Sequence, residues 1–222
     1  MHKINNDPLA ESKLNNLCSH YRDTYEIHLG SVKQRDMLFY ALLVITAFFS
    51  LQITSIEFAN GIITDYLAKE IGITISKDSS LISTLLWFLL FGISTKYFQV
   101  TTQIERQYDY LHALEKELAT YYPETGIFTR EGKSYLKGYP AFSNWVWFLY
   151  TIAFPLLLLL AISIRLKSEI VIGIASNIYP FVPNFICCAL IYISTILYLW
   201  KIHRNWIGNQ KLPKVGRGFK KL

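Results

Sequence analysis

The stretch MLFYALLVITAFFSLQITSIEF, Met37–Phe58, decides the fold class. No charge interrupts it before Glu57, and it matches the ~20 apolar residues that carry a helix across a bilayer. Three further runs repeat the pattern: Leu81–Val100, Ala141–Ile164 and Val182–Trp200. The middle of each lacks Asp, Glu, Lys, Arg and His. Helices buried in water-soluble cores are commonly shorter and keep a polar stripe. The expected fold is therefore all-α, a polytopic membrane protein with four transmembrane helices. The mixed, polar residues 1–36 offer no cleavable signal, so the run from Met37 is expected to serve as an uncleaved first span.

The four runs divide the chain into five parts. They are an amphipathic helix (1–36), a first transmembrane hairpin (37–100), a helix with an interfacial segment (101–140), a second transmembrane hairpin (141–200) and a basic tail (201–222). Eighteen Lys and Arg lie in the first part, around the loop between the two hairpins and in the tail. Only four, Lys69, Lys77, Arg165 and Lys167, lie in the loops within the hairpins. The positive-inside rule then places both termini and the middle loop in the cytoplasm. Trp145, Trp147 and Trp200 fall at that interface, where indole rings settle. Trp87, deep in the second run, reads as a packing residue. Cys18, Cys187 and Cys188 read as small apolar fillers and not as a disulfide framework.

Two amphipathic segments flank the first hairpin. Asp7-Pro8 makes a good helix start, and Leu14, Leu17, Tyr21, Tyr25, His28 and Val32 then recur every three or four residues. His28 on this stripe reads as a packing histidine, and Gly30 as a possible bend before the membrane. After the second run, Val100, Ile104, Tyr108, Leu111, Leu114, Leu118 and Tyr121 continue with the same spacing until Pro123. With no breaker in between, the second transmembrane helix is expected to run on into the cytoplasm. Two such stripes can pack on each other, or on copies from other subunits, as a coiled-coil-like cytoplasmic stalk. Leu14, Leu17, Tyr21, Tyr25, Ile104, Tyr108, Leu111, Leu114 and Leu118 are accordingly the candidate oligomer or partner stripe.

The remaining segments address the bilayer surface. Thr129–Pro140, TREGKSYLKGYP, reads as an interfacial helix whose Arg130, Lys133 and Lys137 meet anionic headgroups. The tail contributes Lys211, Lys214, Arg217, Lys220 and Lys221 to the same contact. Lipid beside the tail is a simpler partner than nucleic acid, so no nucleic acid is expected. On the far side, Ile62, Ile63, Tyr66, Leu67 and Ile71 form the apolar stripe of a small interfacial helix, with Asp65 and Glu70 on its polar face. A β-prone GITIS (Gly72–Ser76) follows it. Pro155 near the middle of the third run is a candidate hinge or a static kink.

Enzymatic signatures are missing from the chain. It holds no HExxH, P-loop, dinucleotide glycine fingerprint or GxSxG elbow, so no catalytic residue and no cofactor is expected. Glu105, Asp109 and His112 share a helical face, but carboxylate-bridged metal sites need several helices to contribute, so a solvated face is expected there and not a metal site. Hydroxyls and amides within the spans, such as Ser83, Thr95, Asn184 and Thr195, read mainly as interhelical glue. Without ionisable groups in the span middles, an ion-coupled transporter is disfavoured, while a pore remains open.

The polar helix LNNLCSHYRDTYEIHLGSVKQRD (Leu14–Asp36), the span after it and ERQYDYLHALEKEL (Glu105–Leu118) resemble the SLATT family of bacterial membrane proteins. That resemblance covers about half of the chain, and the second pair of spans is additional to the family's two-span pattern. It implies a bacterial inner-membrane location. It also implies a role as a pore-forming or membrane-permeabilising effector in an antiviral defence or nucleotide-signalling system. A homo-oligomer responding to a separate cytosolic sensor or partner is the expected form. The alternative is a membrane anchor or scaffold that recruits a cytosolic protein without forming a pore.

Overall fold

The computed structural model describes residues 8–72, 80–121, 141–175 and 179–211. These residues are helical almost throughout, with no strand among them. Helix α1 runs unbroken from Pro8 to Thr54 and α3 from Ser80 to Ala119. At 1.5 Å per residue their 47 and 40 residues extend about 70 and 60 Å. Both exceed the roughly 30 Å of a bilayer's hydrocarbon. Gly30 does not interrupt α1. Its neighbours keep helical geometry, and the position faces open space.

The helix pair is antiparallel and in one register throughout. Near the chain's N-terminal end Tyr21 meets Glu115, in the middle His28 meets Gln107 and Phe39 meets Tyr97, and at the far end Phe49 meets Trp87. The second half of the chain completes the bundle. Helix α4 (Ala141–Phe148) passes through a π-helical turn (Leu149–Ala153) into α5 (Phe154–Ala175). A 3₁₀ turn at Tyr179–Phe181 opens α6 (Val182–Lys211). Helix α1 packs on α3 and α5, and α6 packs on α3 and α5, so the four long helices close a ring.

Among the described residues, four helices are long and apolar enough to span a membrane, within Glu11–Thr54, Ser80–Ala119, Trp145–Val171 and Tyr179–Arg204. Their outward faces are as apolar as their core. Val44, Leu89, Leu157, Leu160, Ile193 and Leu197 all stand exposed, while Leu42, Leu90, Leu158 and Ile191 are buried. A monomeric soluble protein does not carry such a belt; lipid is the solvent that accommodates it. Trp145, Trp147 and Trp200 are also exposed.

The short helix α2 (Ile56–Glu70) forms where the spacing predicted one, and small and polar residues make up its most buried side. Ser55 caps it, accepting from the Phe58 amide, and Gly72 with φ of 76° ends it. Ala59, Asn60, Gly61 and Thr64 turn inward, whereas Ile62, Tyr66 and Ile71 point out. The small polar residues let α2 approach α1 closely, and the Gln52 amide donates to Asn60 Oδ1 at 2.8 Å. Apolar side chains on the outer face are the arrangement that lipid favours. Of the GITIS segment, Ile73–Ser76 lie outside the described residues.

Candidate functional site: a buried charge clasp at one end of the bundle

The main departure from the sequence reading lies in the third span. It does not end at Ile164. No glycine or proline stands between Ile164 and Ile172, and α5 continues through Arg165 and Glu169. Arg165 and Glu169 were expected in a loop, yet they are 2% and 0% exposed inside the bundle. One helical turn apart, they form an ion pair with Arg165 Nη2 at 3.1 Å from Glu169 Oε1.

Three other side chains converge on the same carboxylate. Ser83 Oγ donates to Oε1 at 2.7 Å and Trp87 Nε1 at 3.0 Å, both from the first two turns of α3. Asn184 Nδ2, from the first turn of α6, donates to Oε2 at 3.0 Å. Arg165 Nη2 also donates to Ser83 Oγ at 3.0 Å, and its guanidinium carbon sits 6.0 Å above the Phe49 ring on α1. Every partner of Glu169 is thus a donor, which is what a carboxylate withdrawn from water requires. Glu169 draws three helices together, and Phe49 brings in the fourth. Arg165 Nε and Nη1 are buried and make no hydrogen bond, so the guanidinium is only partly satisfied. The Gln52–Asn60 pair lies near the same end of α1. Together these residues form a polar layer at the end of the bundle away from the N-terminal halves of α1 and α4.

Trp87 is therefore more than packing: its indole N–H holds the clasp. Sequence reasoning missed Arg165 and Glu169 because the span was ended at its first charge. Their i, i+4 spacing on a breaker-free segment was the available signal. Ser83 and Asn184 do act between helices, but on a carboxylate.

Pro155 follows the π turn. The Phe154 amide reaches Leu149 O, which leaves the Tyr150 carbonyl without its usual partner. Tyr97 Oη donates to that carbonyl at 3.1 Å. A proline that lacks its own N–H is thereby accommodated by a cross-braced turn.

Outside the apolar belt, α1 and α3 turn their stripes toward each other. Leu14, Leu17, Tyr21 and Tyr25 are half-buried, and Ile104, Leu111, Leu114 and Leu118 are buried. Tyr108 is more exposed but packs edge-on against His28, centroids 4.4 Å apart. His28 is 2% exposed, 3.3 Å from Gln107 Oε1, and Gln107 in turn donates to Ser31 at 3.1 Å. His20 bonds Tyr110 at 2.7 Å and Tyr21 donates to Glu115 at 3.1 Å. His112 Nδ1 lies 3.9 Å from Glu115 Oε2. Among the described residues no group of three His, Cys, Asp or Glu converges as a metal site would.

Arg130, Lys133, Lys137, Lys214, Arg217, Lys220 and Lys221 lie outside the described residues, and Lys211 is the last residue of α6. Comparison with protein-family models, curated proteins and solved structures gives no match. The functional reading therefore rests on the geometry of this chain.

Proposed function

We propose that this chain is a homo-oligomeric inner-membrane effector that permeabilises the bilayer when the clasp between its helices is released. The buried Arg165–Glu169 pair carries the reading. Ionisable groups inside membrane spans are costly and, by default, functional. With donors on both Glu169 oxygens, the clasp is compatible with a sealed bundle. With Ser83 and Trp87 drawn away, the same charges demand water.

The helix pair α1–α3 supplies the route for a trigger. It is continuous from the His20–Tyr110 contact to Trp87, so a displacement imposed at the projecting end moves donors of Glu169 directly. Permeation would then proceed through hydrated interiors or between copies of the chain. The positive-inside bias supports cytoplasmic termini, and burial of Arg165 leaves only Lys69, Lys77 and Lys167 for the opposite side. A defence or signalling role is the expectation that the SLATT-like layout of the first half adds.

Expression with a membrane-potential dye tests the proposal. Trp87→Phe and Glu169→Gln, at membrane abundance equal to the parent chain, should depolarise cells without a trigger. Normal potential for both variants would count against release of the clasp as the activating step. The scaffold reading keeps one specific support: α1 and α3 project about 30–40 Å beyond the hydrocarbon, enough surface for a soluble partner. A stoichiometric partner copurifying from detergent, with no conductance in planar bilayers, would favour it.

A further inference from the structure

Helices α3 and α6 enclose an open groove of about 460 Å³, far from the clasp. Its floor is the stacked pair Phe98 and Tyr198, ring centroids 4.6 Å apart and both nearly fully buried. Thr102, Gln103, Arg106 and Lys201 line its outer part. Phe39 on α1 contacts Tyr97, so Phe98 lies level with the start of the apolar run at Met37. Thr102, Gln103 and Arg106 follow on the extramembrane side of that level. On α6, exposed Trp200 with Arg204 stacked over its ring marks the same border. Arg106 and Lys201 form no ion pair among the described residues, and neighbouring Glu105 has one carboxylate oxygen buried.

From this juxtaposition we infer that the α3–α6 groove is a binding site for an acidic phospholipid. Arg106 and Lys201 hold its phosphodiester, Gln103 and Thr102 bond to its headgroup, and an acyl chain lies over Phe98 and Tyr198. A guanidinium and an ammonium on two helices suit a phosphate better than they suit each other. An aromatic floor that changes to polar walls at the membrane border suits an amphiphile and not a soluble ion. The site is independent of the permeation reading, since it needs only the bilayer location.

Native mass spectrometry of the full chain released from detergent micelles tests the site. The probes are phosphatidylglycerol, phosphatidylcholine and soluble glycerol phosphate. Phosphatidylglycerol should be retained over phosphatidylcholine. The double variant Arg106→Ala with Lys201→Ala should weaken retention about 30-fold, from two basic contacts near the surface. Arg106→Lys should retain most of the binding, and Lys96→Ala, outside the groove, should leave it unchanged. Unchanged thermal unfolding of the double variant separates loss of the site from loss of the fold. Retention within threefold of the parent by the folded double variant would overturn the proposal. So would displacement of phosphatidylglycerol by equimolar glycerol phosphate, which would make the ligand a soluble anion.

Discussion

Removing one side of the clasp should cost more than removing both. In Glu169→Ala the Arg165 guanidinium, 2% exposed, loses its counter-charge, and Ser83, Trp87 and Asn184 lose their shared acceptor. Breaking a buried pair in this way costs about 3–5 kcal/mol. The double variant Arg165→Met with Glu169→Leu removes the stranded charge and fills the space with apolar atoms. What remains is the loss of four interhelical hydrogen bonds, three to Glu169 and one from Arg165 to Ser83, about 0.6 kcal/mol each in a membrane protein, or about 2.4 kcal/mol. The double variant should therefore be more stable than Glu169→Ala by roughly 1–3 kcal/mol. SDS titration of the protein in mixed micelles, followed by helical circular dichroism, gives both free energies, and the cycle with Arg165→Met isolates the coupling. If Glu169→Ala is as stable as the double variant, the pair is hydrated in the membrane and the clasp argument fails.

Other contacts give narrower expectations. Tyr97→Phe should cost about 0.5–1.5 kcal/mol in the same titration, because the Tyr150 carbonyl at the π turn loses its donor; an unaltered free energy would mean that Tyr97 does not brace the turn. The Gln52→Leu and Asn60→Leu cycle should show coupling of about 0.6 kcal/mol, and zero coupling would separate α2 from α1. Ser31→Cys with Gln107→Cys should crosslink through a short bifunctional thiol reagent in membranes. Ser31→Cys with Leu114→Cys, displaced by about 10 Å along α3, should not. The reverse pattern would refute the register of the helix pair.

The sequence made the four spans legible because each carries a long apolar run that no soluble helix needs. It also made legible the continuation of α3 beyond its apolar run and the paired stripes, since these follow from 3.6-residue periodicity and the placement of breakers. The clasp was not legible by the same logic. A hydropathy reading prices Arg165 and Glu169 separately, whereas one turn of helix lets them neutralise each other and recruit donors from α3 and α6. The inward face of α2 was not legible for a related reason. In lipid the apolar face of a helix is free to point outward, and Asn60 and Thr64 do better against the bundle. The π turn at Leu149–Ala153 is braced by the remote Tyr97 hydroxyl, which no local pattern announces.

The account depends most on lipid surrounding the outward faces of the four helices. Spin labels at Leu89, Leu157 and Leu190, all exposed on those faces, test it in nanodiscs after Cys18, Cys187 and Cys188 are changed to Ala. Collision with oxygen, which concentrates in hydrocarbon, should dominate at all three positions, and a water-soluble nickel chelate should barely reach them. Ready access of the chelate to those positions would contradict the account.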